Sequence, residues 1–201
     1  MAGERRPGRP RTIDRVEAVQ IAMRSWWAEG VEAVSLNEIS RRTGLSKSSL
    51  YREFGGEDGL MVAALEQYRT LSALPLLELF EPPAEPVDQL AKVVMATTME
   101  HGLPPGCFFT KLRLTKATLG EATQSLVAKM VEERLATFER WYRSVLEQGL
   151  AAPDLSATQA ARYIDAQLTL ILVRLAAGDV LESVRQDATL ALSVVLGSRV
   201  E

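Results

Sequence analysis

SLNEISRRTGLSKSSLYREF, residues 35–54, is the stretch that decides the fold, because its pattern is that of two short helices joined by a tight turn. Ser35 begins the first helix as a capping box with the glutamate three residues later, and Gly44 ends it. Ser46 caps a second helix over residues 47–54. Helices this short can cross steeply when the turn accepts a positive φ and apolar side chains flank it. The stretch therefore predicts a helix-turn-helix.

The outer face of the second helix carries hydroxyl, aromatic and cationic side chains. Such groups can enter a major groove and reach base edges and phosphates. A plain helical hairpin is the alternative, since an isolated glycine between two amphipathic stretches also fits that structure. The candidate DNA-binding residues in this stretch are Ser35, Thr43, Ser46, Lys47, Ser48, Ser49, Tyr51 and Arg52.

Charge is distributed unevenly along the chain. Residues 1–52 carry 10 Lys/Arg against 6 Asp/Glu, whereas residues 53–201 carry 13 against 20. The N-terminal part is therefore basic, although the net charge of the whole chain is −3. The first eleven residues contain Gly and Pro, which prevent a helix, and arginines that suit a minor groove or phosphates. We expect a flexible basic arm over residues 1–11 that contacts DNA through Arg9 and Arg11; a solvated tail is the alternative.

The rest of the chain has the apolar spacing of helices, and no run alternates as a strand would. A proline-rich run at 81–86 is the clearest linker. The sequence predicts an all-α fold of about nine helices, comprising an N-terminal three-helix helix-turn-helix domain and a C-terminal helical domain for ligand binding and dimerisation. Beyond the first three, helices are predicted at 57–80, 87–101, 108–118, 121–149, 156–177 and 180–197.

Composition excludes several classes of protein. One cysteine and one histidine cannot make an intramolecular disulfide or a structural zinc cluster. Apolar stretches such as residues 168–173 are far shorter than a membrane span, and the arginine-rich start does not resemble a secretory signal. We expect a cytoplasmic protein without metal, cofactor or membrane partner. Cys107 and His101 are the one candidate catalytic pair in the sequence. No third group that could orient them is evident, so we do not expect an enzyme.

The C-terminal domain suggests two further sites. Met and aromatic residues between the linker and the last helices can line an adaptable pocket, although such residues more often form core. The candidate ligand-binding residues are Met95, Met99, His101, Cys107, Phe108, Phe138, Trp141, Tyr142 and Gln167. The last two helices are apolar on more than one face, which favours a dimer over a central helix of a monomer. The candidate dimer residues are Ile164, Leu168, Ile171, Leu172, Leu175, Val184, Ala188, Leu192 and Val195.

From about Arg9 to Tyr68 the chain resembles the TetR family of transcriptional regulators. The resemblance rests on residue types at fixed spacing: Ala22, Trp26, Gly30, Ser35, Leu36, Ile39, Gly44, Leu45, Ser46, Lys47, Leu50, Tyr51, Phe54 and Leu60. It implies a helix-turn-helix domain over 12–56, whose recognition helix begins at Lys47. It also implies a regulatory and dimerisation domain over 57–201, with the helix at 57–80 as connector.

The resemblance further implies the mode of action. A homodimer would bind a palindromic operator in double-stranded DNA, and a small-molecule effector would release it, with repression as the family default. The alternatives are a helical adaptor that binds protein and a redox sensor that depends on Cys107.

Two positions depart from the family pattern. Members commonly have a histidine two residues after the tyrosine and a lysine three residues after the phenylalanine, both near DNA phosphates; Glu53 and Glu57 stand there instead. Glu57 can favour the start of the next helix electrostatically. Phosphate anchoring at these two positions is therefore not expected.

Overall fold

The computed structural model describes residues 14–81, 84–99, 102–152 and 154–197. Within these ranges the regular structure is helical, apart from one isolated bridge between Ala151 and Leu196, which confirms the all-α prediction. Arg9, Arg11 and His101 lie outside the described residues. The helices are α1 (Arg15–Glu29), α2 (Leu36–Thr43), α3 (Lys47–Phe54), α4 (Glu57–Tyr68), α5 (Leu74–Glu78), α6 (Pro86–Thr98), α7 (Phe108–Leu114), α8 (Glu121–Glu147), α9 (Ala157–Ala177) and α10 (Leu181–Ser193).

Local capping explains why the first three helices begin where they do. The carboxylate of Asp14 accepts a hydrogen bond from the backbone N–H of Glu17, at 3.0 Å. Ser35 and Ser46 cap α2 and α3 in the same way. Gly44, at the end of α2, has φ 68°, a left-handed conformation that glycine adopts without a steric penalty. The three-helix unit α1–α3, called the N-terminal unit below, is thus specified by short-range signals.

The predicted helix at 57–80 is interrupted. α4 ends at Tyr68, and a π segment (Arg69–Ala73) leads into α5. The N–H of Leu74 donates to the carbonyl of Arg69, five residues back, and Pro75 follows with no N–H to donate. Proline therefore accounts for the change of register. If this continuous stretch is counted as one helix, the described residues contain the nine predicted.

Two hydrophobic cores hold the helices together. The first contains buried residues of α1–α4, of α7 and of the first half of α8, including Trp26, Leu50 and Phe108. The second joins the second half of α8 to α6, α9 and α10, with Phe138 and Tyr142 at 0% exposure. The first core therefore continues across residue 56, where the sequence analysis places a domain boundary. α8 contributes to both cores and connects the two halves.

The dimer residues predicted on the last two helices need correction. Seven of the nine are at most 4% exposed, packed in the second core, and the other two, Leu172 and Leu175, are half-buried. These seven side chains pack inside their own subunit and have no free surface for a partner, whereas Leu172 and Leu175 keep part of theirs. Periodicity identified an apolar face, but that face is the inner one. The apolar residues left exposed on α9, α10 and the turn between them are Leu170, Val173, Val180, Leu181, Leu190 and Val194.

Candidate nucleic-acid interface and regulatory cavity

α3 lies on the surface of the N-terminal unit with its polar face outward. Leu50, at 0% exposure, anchors the helix in the first core. Lys47, Ser48 and Arg52 are exposed, and Tyr51 is 56% exposed. The side of α3 opposite Leu50 thus carries cations, a hydroxyl and an aromatic ring. This side can enter a DNA groove without any change in the packing of the first core.

Hydroxyl groups fix the turn between α2 and α3. Ser46 accepts from the N–H of Ser49 at 3.1 Å, and its Oγ lies 2.9 Å from the hydroxyls of both Ser48 and Ser49. The hydroxyl of Thr43 donates to the carbonyl of Ile39 at 2.8 Å. The hydroxyls of Thr43 and Ser46 are thus hydrogen-bonded within the turn. Ser48 and Ser49 belong to α3 itself.

A cation network beside the turn was not anticipated from the sequence. Both Arg41 and Arg42 are ion-paired with Glu38, and Arg42 also pairs with Glu29. Hydrogen bonds from Arg41 and Arg42 lower the pKa of Glu38 to about 2. The i, i+3 and i, i+4 spacings from Glu38 were the available sequence signal. The pair between Arg42 and Glu29 connects α2 to the end of α1, and both arginines have carboxylate partners within the N-terminal unit.

The structure explains one of the two departures from the family pattern. Glu53 lies 3.6 Å from the guanidinium of Arg15, whose carbon sits 5.4 Å from the centre of the Phe54 ring. This contact joins the start of α1 to the end of α3. Glu57 is exposed in the first turn of α4, as expected of an acidic residue that favours a helix start.

A small cavity lies where α4, the π segment, α7 and α8 meet. Its volume is about 30 Å³, room for a couple of waters, whereas sites for drug-sized ligands measure about 300 Å³ or more. Most of the lining is apolar. The lining residues are Tyr68, Arg69, Ala73, Leu74, Leu76, Leu77, Cys107, Phe109, Met130, Glu133, Arg134 and Leu172.

Of the described residues predicted to bind ligand, Cys107 alone lines this cavity. Phe108 is buried in the first core, and Gln167 is half-buried on α9. The second core contains three others: Phe138, Trp141 and Tyr142. Met95 and Met99 are exposed, at 45% and 53%. The sequence analysis missed the lining contributed by α4 and the π segment, because those residues had been assigned to a continuous connector.

Polar contacts surround the cavity. The hydroxyl of Tyr68 lies 3.0 Å from the thiol of Cys107, and burial, with this neighbour, raises the pKa of Tyr68 well above its ordinary value. Arg69 donates from Nη2 to Oε2 of Glu133 at 2.9 Å. The Nε of Arg134 lies 2.8 Å from a carboxylate oxygen of Asp165. The charged groups at the cavity are therefore already paired.

The described part of the chain contains no group of three or more His, Cys, Asp or Glu side chains placed to hold a metal ion. In the same ranges, no helix combines the length and hydropathy needed to cross a membrane.

The N-terminal unit and the helical body together define a helix-turn-helix protein. Residues 19–64 match the model of a family described as bacterial regulatory proteins, tetR family. These residues span most of α1 through α4, and the chain is similar to TetR-type transcriptional regulators rather than to enzymes.

Two curated relatives and one solved structure show the extent of the similarity. The chain is 28% identical over 190 residues to the HTH-type transcriptional repressor ComR of Escherichia coli K12, covering 90% of this chain and 88% of ComR. It is 29% identical over 101 residues to the repressor BdcR of the same organism, half of either chain. The structure of a cysteine mutant of the TetR-family regulator CifR, complexed with 26-bp operator DNA, superposes with a TM-score of 0.81 at 23% identity, covering 94% of this chain and 100% of that one.

Proposed function

We propose that the protein is a homodimeric repressor that binds a palindromic DNA operator through α3 and releases it when a small molecule enters the cavity. The observation that carries the proposal is the outward polar face of α3, anchored by the buried Leu50. The relatives ComR and BdcR are named as repressors, which supports the same direction of regulation. Regulation of transcription places its action in the cytoplasm, with the DNA.

On DNA, the residues of α3 divide into two roles. Lys47 and Arg52 are cationic and exposed, so they neutralise phosphates or donate to guanine edges. Tyr51, Ser48 and Ser49 offer an aromatic ring and hydroxyls to the base edges. Ser35, Thr43 and Ser46 lie near the ends of α2 and α3, which brings these residues close to the phosphates. Arg9 and Arg11 belong to the proposed basic arm of residues 1–11, which reaches the adjacent minor groove.

The dimer forms through the exposed apolar faces of α9 and α10. Leu190 is 70% exposed and Leu170 is 51% exposed, although both lie in helices whose other faces are buried. Large apolar patches on a protein surface mark interaction sites. A symmetric pair of subunits presents two α3 helices, which requires two related half-sites and hence a palindrome.

Effector binding acts through α4. The cavity holds only about 30 Å³, so a larger molecule enters by displacing the side chains that line it, among them Tyr68 of α4 and Ala73 of the π segment. The ligand therefore favours a second position of α4, which connects the N-terminal unit (within residues 12–56) to the regulatory remainder (57–201). A coupling of about 1–3 kcal/mol would weaken operator binding about 5- to 150-fold.

The proposal is tested by selecting duplexes from a random pool with the purified protein and titrating the selected duplex by fluorescence anisotropy at several salt concentrations. The selected sites should show two-fold symmetry. Lys47→Ala should weaken binding about tenfold and, at one phosphate per subunit, reduce the slope of log affinity against log salt by about 1.8 per dimer. Lys92→Ala, an exposed lysine on α6, is the matched control and should change neither quantity. Selection of no sequence by folded protein would refute the proposal.

A further inference from the structure

An aspartate of α4 caps the longest helix of the body. The carboxylate of Asp58 accepts a hydrogen bond from the backbone N–H of Ala122 at 2.9 Å and from that of Thr123 at 3.0 Å. It also accepts from the hydroxyl of Thr123. α8 has Gly120 at its N-cap position and no side-chain cap of its own. Asp58 therefore supplies, from 64 positions away, the cap that α8 otherwise lacks.

Gly120 makes room for this contact. A Cβ atom built on Gly120 would lie 2.2 Å from the carboxylate carbon of Asp58, a distance that no side chain tolerates. A serine or aspartate at this position, the usual N-cap residues, would thus exclude Asp58. α8 lacks a side-chain cap at Gly120 because the carboxylate of Asp58 occupies the space that such a side chain would need.

Hydrogen bonding outweighs burial at this carboxylate. Burial alone raises the pKa of Asp58, but the hydrogen bonds from Thr123 and Ala122 lower it below the ordinary value. Asp58 is thus an ionised group between two helix starts, in the first turn of α4 and at the first N–H groups of α8. Negative charge is favoured at both positions.

A second polar contact has the same sequence separation as the contact between Asp58 and Ala122. Arg69 and Glu133 are also separated by 64 positions, so α4 and α8 run in the same direction side by side. Arg69 lines the cavity, whereas Asp58 lies at the end of α4 that follows α3 directly. Of these two polar contacts, the Asp58 contact is the one next to the N-terminal unit.

We propose that Asp58 is a positioning residue, which holds the start of α4 against the N-terminus of α8 and so sets the angle at which each subunit presents α3. In the dimer this angle fixes the separation of the two α3 helices. Asp58 touches no DNA in this role; it determines which half-site spacing the dimer accepts. The inference rests on the proposed function.

The test measures spacing rather than affinity alone. A duplex selected by the wild-type protein is remade with one or two base pairs added to or removed from its centre, and each is titrated by anisotropy against Asp58→Ala, Asp58→Asn and Thr123→Val. Wild type should prefer its own spacing. The Asp58 variants should lose that preference by about fivefold or more, as the ratio of affinities for native and altered spacing, with Thr123→Val intermediate. Asp88→Asn, an exposed first-turn aspartate on α6, should match wild type.

Two results would overturn the inference. If the Asp58 variants are dimeric and folded, melt at a lower temperature, and keep the wild-type spacing preference, Asp58 contributes stability alone. If Asp58→Ala does not fold, Thr123→Val decides, because it removes one donor and leaves the backbone contacts in place; a wild-type spacing preference in that variant overturns the inference. A wild-type protein that selects no duplex would instead remove the proposed function, and this inference with it.

Discussion

The hydroxyl of Tyr68 lies 3.0 Å from the thiol of Cys107, and this contact joins the end of α4 to the start of α7 inside the first core. Cys107 is 4% exposed, and its sulfur also accepts from the N–H of Thr110 at 3.3 Å. The thiol therefore caps α7 and satisfies a buried phenol. A role in packing accounts for Cys107 without any chemistry at sulfur.

Replacing Cys107 by alanine should destabilise the protein by about 1–3 kcal/mol, because the Tyr68 hydroxyl is left buried without a partner. Tyr68→Phe should lower the free energy of unfolding by less in the Cys107→Ala background than in wild type. Urea unfolding of the four proteins at one subunit concentration measures this coupling. Operator affinity of the folded Cys107→Ala variant should stay at the wild-type level; additive free energies within about 0.3 kcal/mol would show that the two groups do not interact.

Glu57→Lys should tighten operator binding at moderate salt. Glu57 is exposed in the first turn of α4, directly after α3, where a lysine would be near the DNA backbone in the proposed complex. One additional phosphate contact per subunit should steepen the salt dependence by about 1.8 in log–log slope per dimer. Glu147→Lys, the same change in charge at the exposed end of α8, is the control. A weaker complex from a stably folded Glu57→Lys variant would contradict the proposed orientation.

Acid should remove the contribution of Glu38 to stability. In the folded protein the pKa of Glu38 is about 2, below its ordinary value of 4.5, because Arg41 and Arg42 donate to it. The unfolded chain thus takes up the proton first, so the stabilisation is complete above about pH 4.5 and disappears as the pH falls toward 2. The difference in unfolding free energy between wild type and Glu38→Gln should be constant from pH 7 to 5 and shrink below that. A difference that is independent of pH down to 3 would show that the carboxylate charge is not involved.

Leu190→Glu should dissociate the dimer without unfolding the subunit. Leu190 is 70% exposed on α10, so a carboxylate there meets water in the monomer and an apolar surface in the proposed dimer. Sedimentation equilibrium should show a dimer for wild type and a monomer for the variant at micromolar concentration. Leu114→Glu, at a leucine of α7 that is 75% exposed, should remain dimeric. Dissociation by the Leu114 change and not by the Leu190 change would move the interface elsewhere.

Local signals were predictable from the sequence, and contacts between distant segments were not. The caps at Ser35 and Ser46 and the turn at Gly44 depend on residues within three positions of one another, and the structure has each where it was expected. On α9 and α10 the apolar period was evident, yet both faces are apolar, so the pattern alone did not distinguish the inner face from the outer one.

Two features depend on the tertiary arrangement. The cavity wall at Tyr68 and Arg69 arises where the π segment meets α8, and the signal available in the sequence was Pro75, which indicates a break in the helix. The capping of α8 by Asp58 joins residues 64 positions apart, and no short motif encodes it.

Methylation protection of guanine N7, which faces the major groove, tests most directly whether α3 enters DNA there. With the duplex selected by the wild-type protein, the account predicts two clusters of protected guanines about 10 base pairs apart on one face of the duplex, and loss of both clusters with Tyr51→Ala at concentrations that still saturate the DNA. Saturated binding that leaves every N7 reactive, or protection that Tyr51→Ala leaves intact, would contradict it.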